Sequence, residues 1–203
     1  MKKLRIFLPI LAIVFTIGLS AFNDKIPLKT SGATDKANPS VLADKEKSLK
    51  AFSTILTVLK SPRCINCHPT ADVPRQGDAQ RTHPFGVSRG VANLGGVVQK
   101  CGTCHHAENN VYSNVPGAPH WSVAPKTMGW FGLPDNEIAK RLLDKTQNGG
   151  RSPQDLVKHM SSDSLVLWAW NPGTGRSKPP VELEEWRTVL KEWLDNGAAI
   201  PTN

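Results

Sequence analysis

Cys64-Ile65-Asn66-Cys67-His68 and Cys101-Gly102-Thr103-Cys104-His105 repeat one pattern and use all four cysteines of the 203-residue chain. In this spacing two thiols can form thioethers with the two vinyl groups of one haem, while the imidazole that follows is carried beneath the ring to its iron. A four-cysteine zinc site, two disulfides or two redox-active pairs would each account for the cysteines alone. None of them requires a histidine directly after both second cysteines, and the chain has only six histidines. The expectation is two covalently attached c-type haems. Cys64, Cys67, Cys101 and Cys104 would hold the macrocycles, and His68 and His105 would be the proximal iron ligands.

The amino terminus agrees with that chemistry. Lys2, Lys3 and Arg5 precede an uncharged apolar run over residues 6–22, the basic and hydrophobic regions of an export signal. The chain is therefore expected in the periplasm. Gly18, Ser20 and Ala21 permit cleavage near residues 20–21, and a run of about 17 residues is at the short limit for spanning a bilayer. The leader is either removed or kept as an inner-membrane anchor, the only membrane association expected. Residues 23–43 are dominated by Lys, Ser, Thr, Gly, Ala and Pro and are expected to form a tether. Residues 44–203 are left as the haem-bearing domain. The formal charge of +8 includes three cations of the leader. No basic tract with interleaved aromatics occurs, which argues against nucleic acid as a partner.

Within the domain, Leu49, Phe52, Ile55, Leu56 and Leu59 fall on one face at helical spacing, predicting a helix over 44–60 that leads into the first cysteine motif. Ile138, Leu142 and Leu143 predict a second helix over 134–146. Ser152, Pro153 and Asp155 have the form of a helix start continuing to about residue 160, and 165–170 either extends it or forms a separate turn. Leu183, Trp186, Leu190, Trp193 and Leu194 predict a carboxy-terminal helix over 181–195, with Gly197 placed to end it. Long Gly- and Pro-rich stretches over 68–100 and 107–132 are expected to be loops, and no alternating run predicts more than a few strands. The fold class is mainly α: a small c-type cytochrome whose long loops pack around two covalently bound haems, which would complete an otherwise thin core.

Beyond the motifs, the side chains able to complete an iron are His83, His106, His120, His159, Met128 and Met160. His83 sits in a loop with no core periodicity to explain it. His159 and Met160 share a helix end, where only one can point at a given haem. Met128 lies on a Pro- and Gly-bounded loop suited to carrying a thioether over a haem face. His83, His159 and Met128 are the favoured ligands, with His120 and Met160 as alternatives, and their pairing with particular haems is left open. His106 would have to turn back past its own haem. A methionine ligand would raise the potential relative to paired histidines.

The paired motifs and the size resemble small dihaem c-type cytochromes, and the placement of His83 is similar to that in the dihaem subunit of periplasmic nitrate reductase. A longer likeness runs through Gln76-Gly77-Asp78, His83-Pro84, Pro116-Gly117-Ala118-Pro119-His120-Trp121, Asn148-Gly149-Gly150-Arg151, His159-Met160 and Trp170-Asn171-Pro172-Gly173. It resembles cytochrome-like proteins labelled isoquinoline 1-oxidoreductase subunit. That resemblance implies an electron acceptor for a molybdenum hydroxylase-type dehydrogenase, which must pass on two electrons per substrate. The chain has no molybdopterin or iron–sulfur pattern of its own. Electron transfer is thus the leading expectation, with no catalytic residues of its own. The alternative is a small peroxidase-like or gas-reactive haem enzyme with one open iron position.

Overall fold

The largest described side chains with less than 2 % exposure include Trp186, Trp193, Phe52, Ile55, Ile138, Leu142 and Leu190, and these come from three amphipathic helices. The computed structural model describes residues 39–202. The expected leader over 1–22 and most of the tether lie outside them. Among the described residues there are six α-helices: α1 (Pro39–Leu59), α2 (Pro62–Ile65), α3 (Asp135–Leu143), α4 (Pro153–Ser162), α5 (Ser164–Leu167) and α6 (Leu183–Asp195). The only ladder there is a two-residue antiparallel pair, β1 (Arg75–Gln76) with β2 (Arg81–Thr82). The described chain is partly helical with little strand.

α1 packs on α6 as the main layer of the core. Phe52 meets Trp193 with ring centres 5.1 Å apart. Fully burying side chains of this kind is worth roughly 1.5–3 kcal/mol each. Ser48 is buried between the helices, donating to the Trp193 carbonyl at 3.0 Å and accepting from the Ala199 amide at 2.9 Å. α4 also packs on α6, where the Trp186 indole donates to the Met160 carbonyl at 2.9 Å. Met160 itself is a core side chain, 5 % exposed.

Each boundary has a local cause. α1 begins at Pro39 rather than at residue 44, so five residues expected in the tether are helical; Val41 and Leu42 there are exposed, which is why no core-facing stripe announced them. α3 ends at Leu143, earlier than its periodicity suggested. The buried Asn148 side chain donates to the Leu142 carbonyl at 2.7 Å and so caps the freed end. α4 carries the expected capping box, Ser152 and Asp155 satisfying each other's backbone amides. Residues 164–170 form a separate α-turn followed by a 3-10 turn over Trp168–Trp170. Gly197, at φ +90°, ends α6 as the Ala198 amide returns to the Trp193 carbonyl.

A cysteine–histidine site built twice

Each cysteine motif folds as a single helical turn. In the first, Pro62 opens α2 at its first position and the His68 amide donates to the Cys64 carbonyl at 3.1 Å. In the second, a 3-10 turn over Cys101–Thr103 brings the His105 amide to the Cys101 carbonyl at 2.9 Å. Residues at i, i+3 and i+4 share one face of such a turn. Two thiols and an imidazole are therefore presented together in both places. All four cysteines are free thiols, and desolvation pushes Cys64 up to about 12 and Cys67 up to about 11.

The two histidines are held in the same way. His68 Nδ1 lies 2.7 Å from the Met128 carbonyl, and His105 Nδ1 lies 2.7 Å from the Pro116 carbonyl. A carbonyl only accepts, so each Nδ1 carries the proton and each Nε2 keeps its lone pair. Each ring also lies flat on a tryptophan: His68 on Trp130 with centres 3.6 Å apart, His105 on Trp121 at 4.5 Å. Burial in these apolar surroundings pushes His68 down to about 3 and His105 in the same direction, so both are neutral at physiological pH.

The repetition extends to the next residue. Met128 is followed by Gly129, where a Cβ would come within 2.3 Å of the Pro69 carbonyl oxygen, directly after His68. Pro116 is followed by Gly117, where a Cβ would come within 2.6 Å of the His106 carbonyl oxygen, directly after His105. In both sites a glycine lets the carbonyl-bearing loop press against the backbone leaving the motif. The first loop is fixed by α3, from which Arg141 donates to the Gly129 carbonyl, and by the Trp130 amide donating to the His68 carbonyl at 3.0 Å. The second is fixed by Asn109, whose Oδ1 accepts from the Gly117 amide at 3.1 Å and the Trp168 indole at 2.8 Å. Composition gave these glycines and carbonyls only as loop; the usable signal was a Gly with a Trp shortly after it, downstream of each motif.

A cavity of about 430 Å³ joins the two motifs, with Cys67, Cys101, Cys104, His105 and His83 in its wall. Cys67 and Cys101 are close enough for the charge of one thiolate to act on the other. His83 faces His105 with ring centres 6.0 Å apart and planes at 70°, and its Nδ1 is engaged by the Pro84 carbonyl at 2.9 Å. His159 lies where its charge acts on His68, and its Nδ1 is 3.2 Å from Asp163 Oδ2. All four imidazoles thus have Nδ1 occupied and Nε2 left for another partner.

Met128 gives His68 its backbone carbonyl, on the Nδ1 side, and its side chain is in the hydrophobic core, 7 % exposed. Met160 is likewise core. His120, in the left-handed region at φ +60°, and His106 are exposed and lie outside the wall of the 430 Å³ cavity. Among the described residues no three His, Cys, Asp or Glu side chains converge as a bare metal-ion site, and no helix is long and apolar enough to cross a membrane.

The residues present fit haem on their own chemistry: unpaired thiols and neutral imidazoles with fixed tautomers at both motifs, and a cavity with apolar and cationic walls that takes in the second motif and Cys67 of the first. Comparison with protein-family models, with curated proteins and with solved structures returned no match to the chain.

Proposed function

We propose that this protein is an exported, periplasmic electron-transfer protein carrying two c-type haems. Cys64, Cys67 and His68 would hold the first, and Cys101, Cys104 and His105 the second. The observation that carries the reading is the repeated histidine cradle: a neutral imidazole, Nδ1–H given to a backbone carbonyl, Nε2 free, one residue after the second thiol of each pair. Metal-bound histidines almost always donate their other N–H in this way, which fixes the ring and makes it a better ligand.

When bound, each haem would supply an iron centre that gains or loses one electron. The protein's part is to position and insulate it. Trp121 and Trp130 hold the imidazole planes, and the cavity walls keep water from the ring faces. His83, whose ring meets that of His105, would be the second residue to hold the iron of the second haem, and His159, whose charge is felt at His68, would be the candidate for the first. That favours a carrier over a gas-binding enzyme. The nearness of Cys67 and Cys101 supports haem edges close enough for direct exchange between the two sites. The partner is a redox protein, and the resemblance of the chain points to a molybdenum-containing dehydrogenase that must shed two electrons per turnover.

The test is the intact mass of the denatured protein after export alongside the cytochrome-maturation machinery. Thioether-linked haem survives unfolding, whereas zinc and non-covalent haem do not. Two haem additions are expected; a matured preparation with none overturns the reading.

A further inference from the structure

Arg63 is buried where a cation needs company. Its side chain is 2 % exposed, its Nη2 donates to Asp78 Oδ1 at 2.5 Å, and its Nε is buried with no partner. The guanidinium lies 5.9 Å from the centre of the Trp168 ring, in the wall of the 430 Å³ cavity. Arg176 lines the same cavity and feels the charge of Arg63; its own hydrogen bonds go to neutral groups, the Asn114 side chain at 3.0 Å and the Pro172 carbonyl at 3.2 Å. Asp78 is the carboxylate between them, and it is already shared with the Ser177 amide at 3.0 Å. Two partly desolvated guanidiniums against one half-exposed acid leave the wall short of negative charge. A buried charge without full pairing is costly.

The fork of a guanidinium matches a carboxylate, and haem bears two carboxylates on its propionates. The cavity is lined by every residue of the second attachment site, Cys101, Cys104, His105 and the facing His83, but by only Cys67 of the first thiol pair. We infer that Arg63, although it stands on the helical turn of the first motif, holds a propionate carboxylate of the haem attached at the second, with Arg176 as the accompanying cation. This rests on the two-haem reading and adds a cross-link to it. The charge that settles the second haem is supplied by the first motif, so the two sites are one unit, and the second haem is held at a higher potential than its ligands alone would set.

The experiment is potentiometric titration of Arg63→Gln and Arg63→Lys beside the wild type, each first shown by mass to carry two haems. In Arg63→Gln one haem is expected to become about tenfold harder to reduce, a fall of roughly 59 mV for one electron, while the other moves by far less. Arg63→Lys, which keeps the charge without the fork, recovers most of the shift. The haem that moves is expected to be the one whose spectrum changes in His83→Ala. Equal shifts in both, no shift, or a shift confined to the other haem overturns the inference while leaving the two-haem reading intact; a wild type without two haem additions fails that reading instead. Should Arg63→Gln not mature, the wild type decides by infrared spectroscopy with the propionate carboxylates isotopically labelled. At least one is expected to stay ionised well below the ordinary carboxylate range, and carboxylates that all titrate within that range overturn the inference.

Discussion

The imidazoles of His83 and His105 face one another with centres 6.0 Å apart, although they lie on different loops. On the two-haem reading these are the two imidazoles that would hold the second iron, each with Nδ1 already engaged. His83 reaches this position because the hairpin of β1 and β2 returns the chain, its amide donating to the Pro74 carbonyl at 2.9 Å, so this imidazole is held by backbone pairing rather than by core packing.

His83→Ala should therefore open one iron. The reduced wild type is expected to bind no carbon monoxide, and the variant to bind one per chain, read from the visible spectrum, with both haems retained by mass. Binding by the wild type at one haem per chain would restore the gas-reactive alternative.

The two tryptophans under the proximal rings are not equal in their wider setting. Trp130 is 3 % exposed and its indole donates to the Leu59 carbonyl at 2.9 Å, tying the His68 cradle to the end of α1. Trp121 is only partly buried and packs edge-on against Trp168 with centres 4.9 Å apart. Trp130→Ala should cost about 3–5 kcal/mol of stability, as for other buried aromatics, and Trp121→Ala clearly less. Denaturant titration checks the order, and equal costs would place both in one core.

At the start of α4, Ser152→Ala removes the side chain that accepts from the Asp155 amide at 3.1 Å, and should lower stability by about 1 kcal/mol. Asp155 is held below the ordinary carboxylate range by the Ser152 hydroxyl and amide. A carboxyl group whose folded pKa is depressed contributes stability that is present above its unfolded pKa and is lost as the pH falls through the folded one. The difference between wild type and Asp155→Asn should therefore be largest near neutrality and shrink in acid. Thermal melts across that range test it, and a gap that widens in acid would contradict the sign.

What was legible in the sequence was local. The stripes of α3 and α6, the Ser152–Asp155 box and the Gly197 stop are short-range patterns, and each is in place; the two motifs likewise announce themselves through i, i+3 and i+4 spacing. The rest is long-range. Arg89 donates to the Pro69 and Ala71 carbonyls at 2.9 Å and shapes the turn after His68, a bond across some twenty residues that no periodicity encodes. The part played by the Met128 backbone is long-range too, its carbonyl meeting His68 Nδ1 from 60 residues away. A Pro- and Gly-bounded loop beside a cysteine motif can offer a carbonyl as well as a thioether, and the packing of α3 against that loop is what brings the carbonyl to the histidine.

The glycines after the two carbonyls provide the last test. Gly129→Ala would force its loop off the Pro69 carbonyl, carrying the Met128 carbonyl away from His68; Gly117→Ala would do the same to Pro116 and His105 through the Glu108 and His106 carbonyls. Loss of such a partner of a ligating histidine typically costs 10–100-fold in metal affinity or activity. With the ring nitrogen less fully engaged, the imidazole is a weaker donor to ferric iron, and the potential of that haem should rise. Each variant is therefore expected to raise one potential and leave the other in place, Gly129→Ala acting on the haem of His68 and Gly117→Ala on that of His105. Potentials that fall, or that move together, would mean that the carbonyls only pack against the rings and do not tune them.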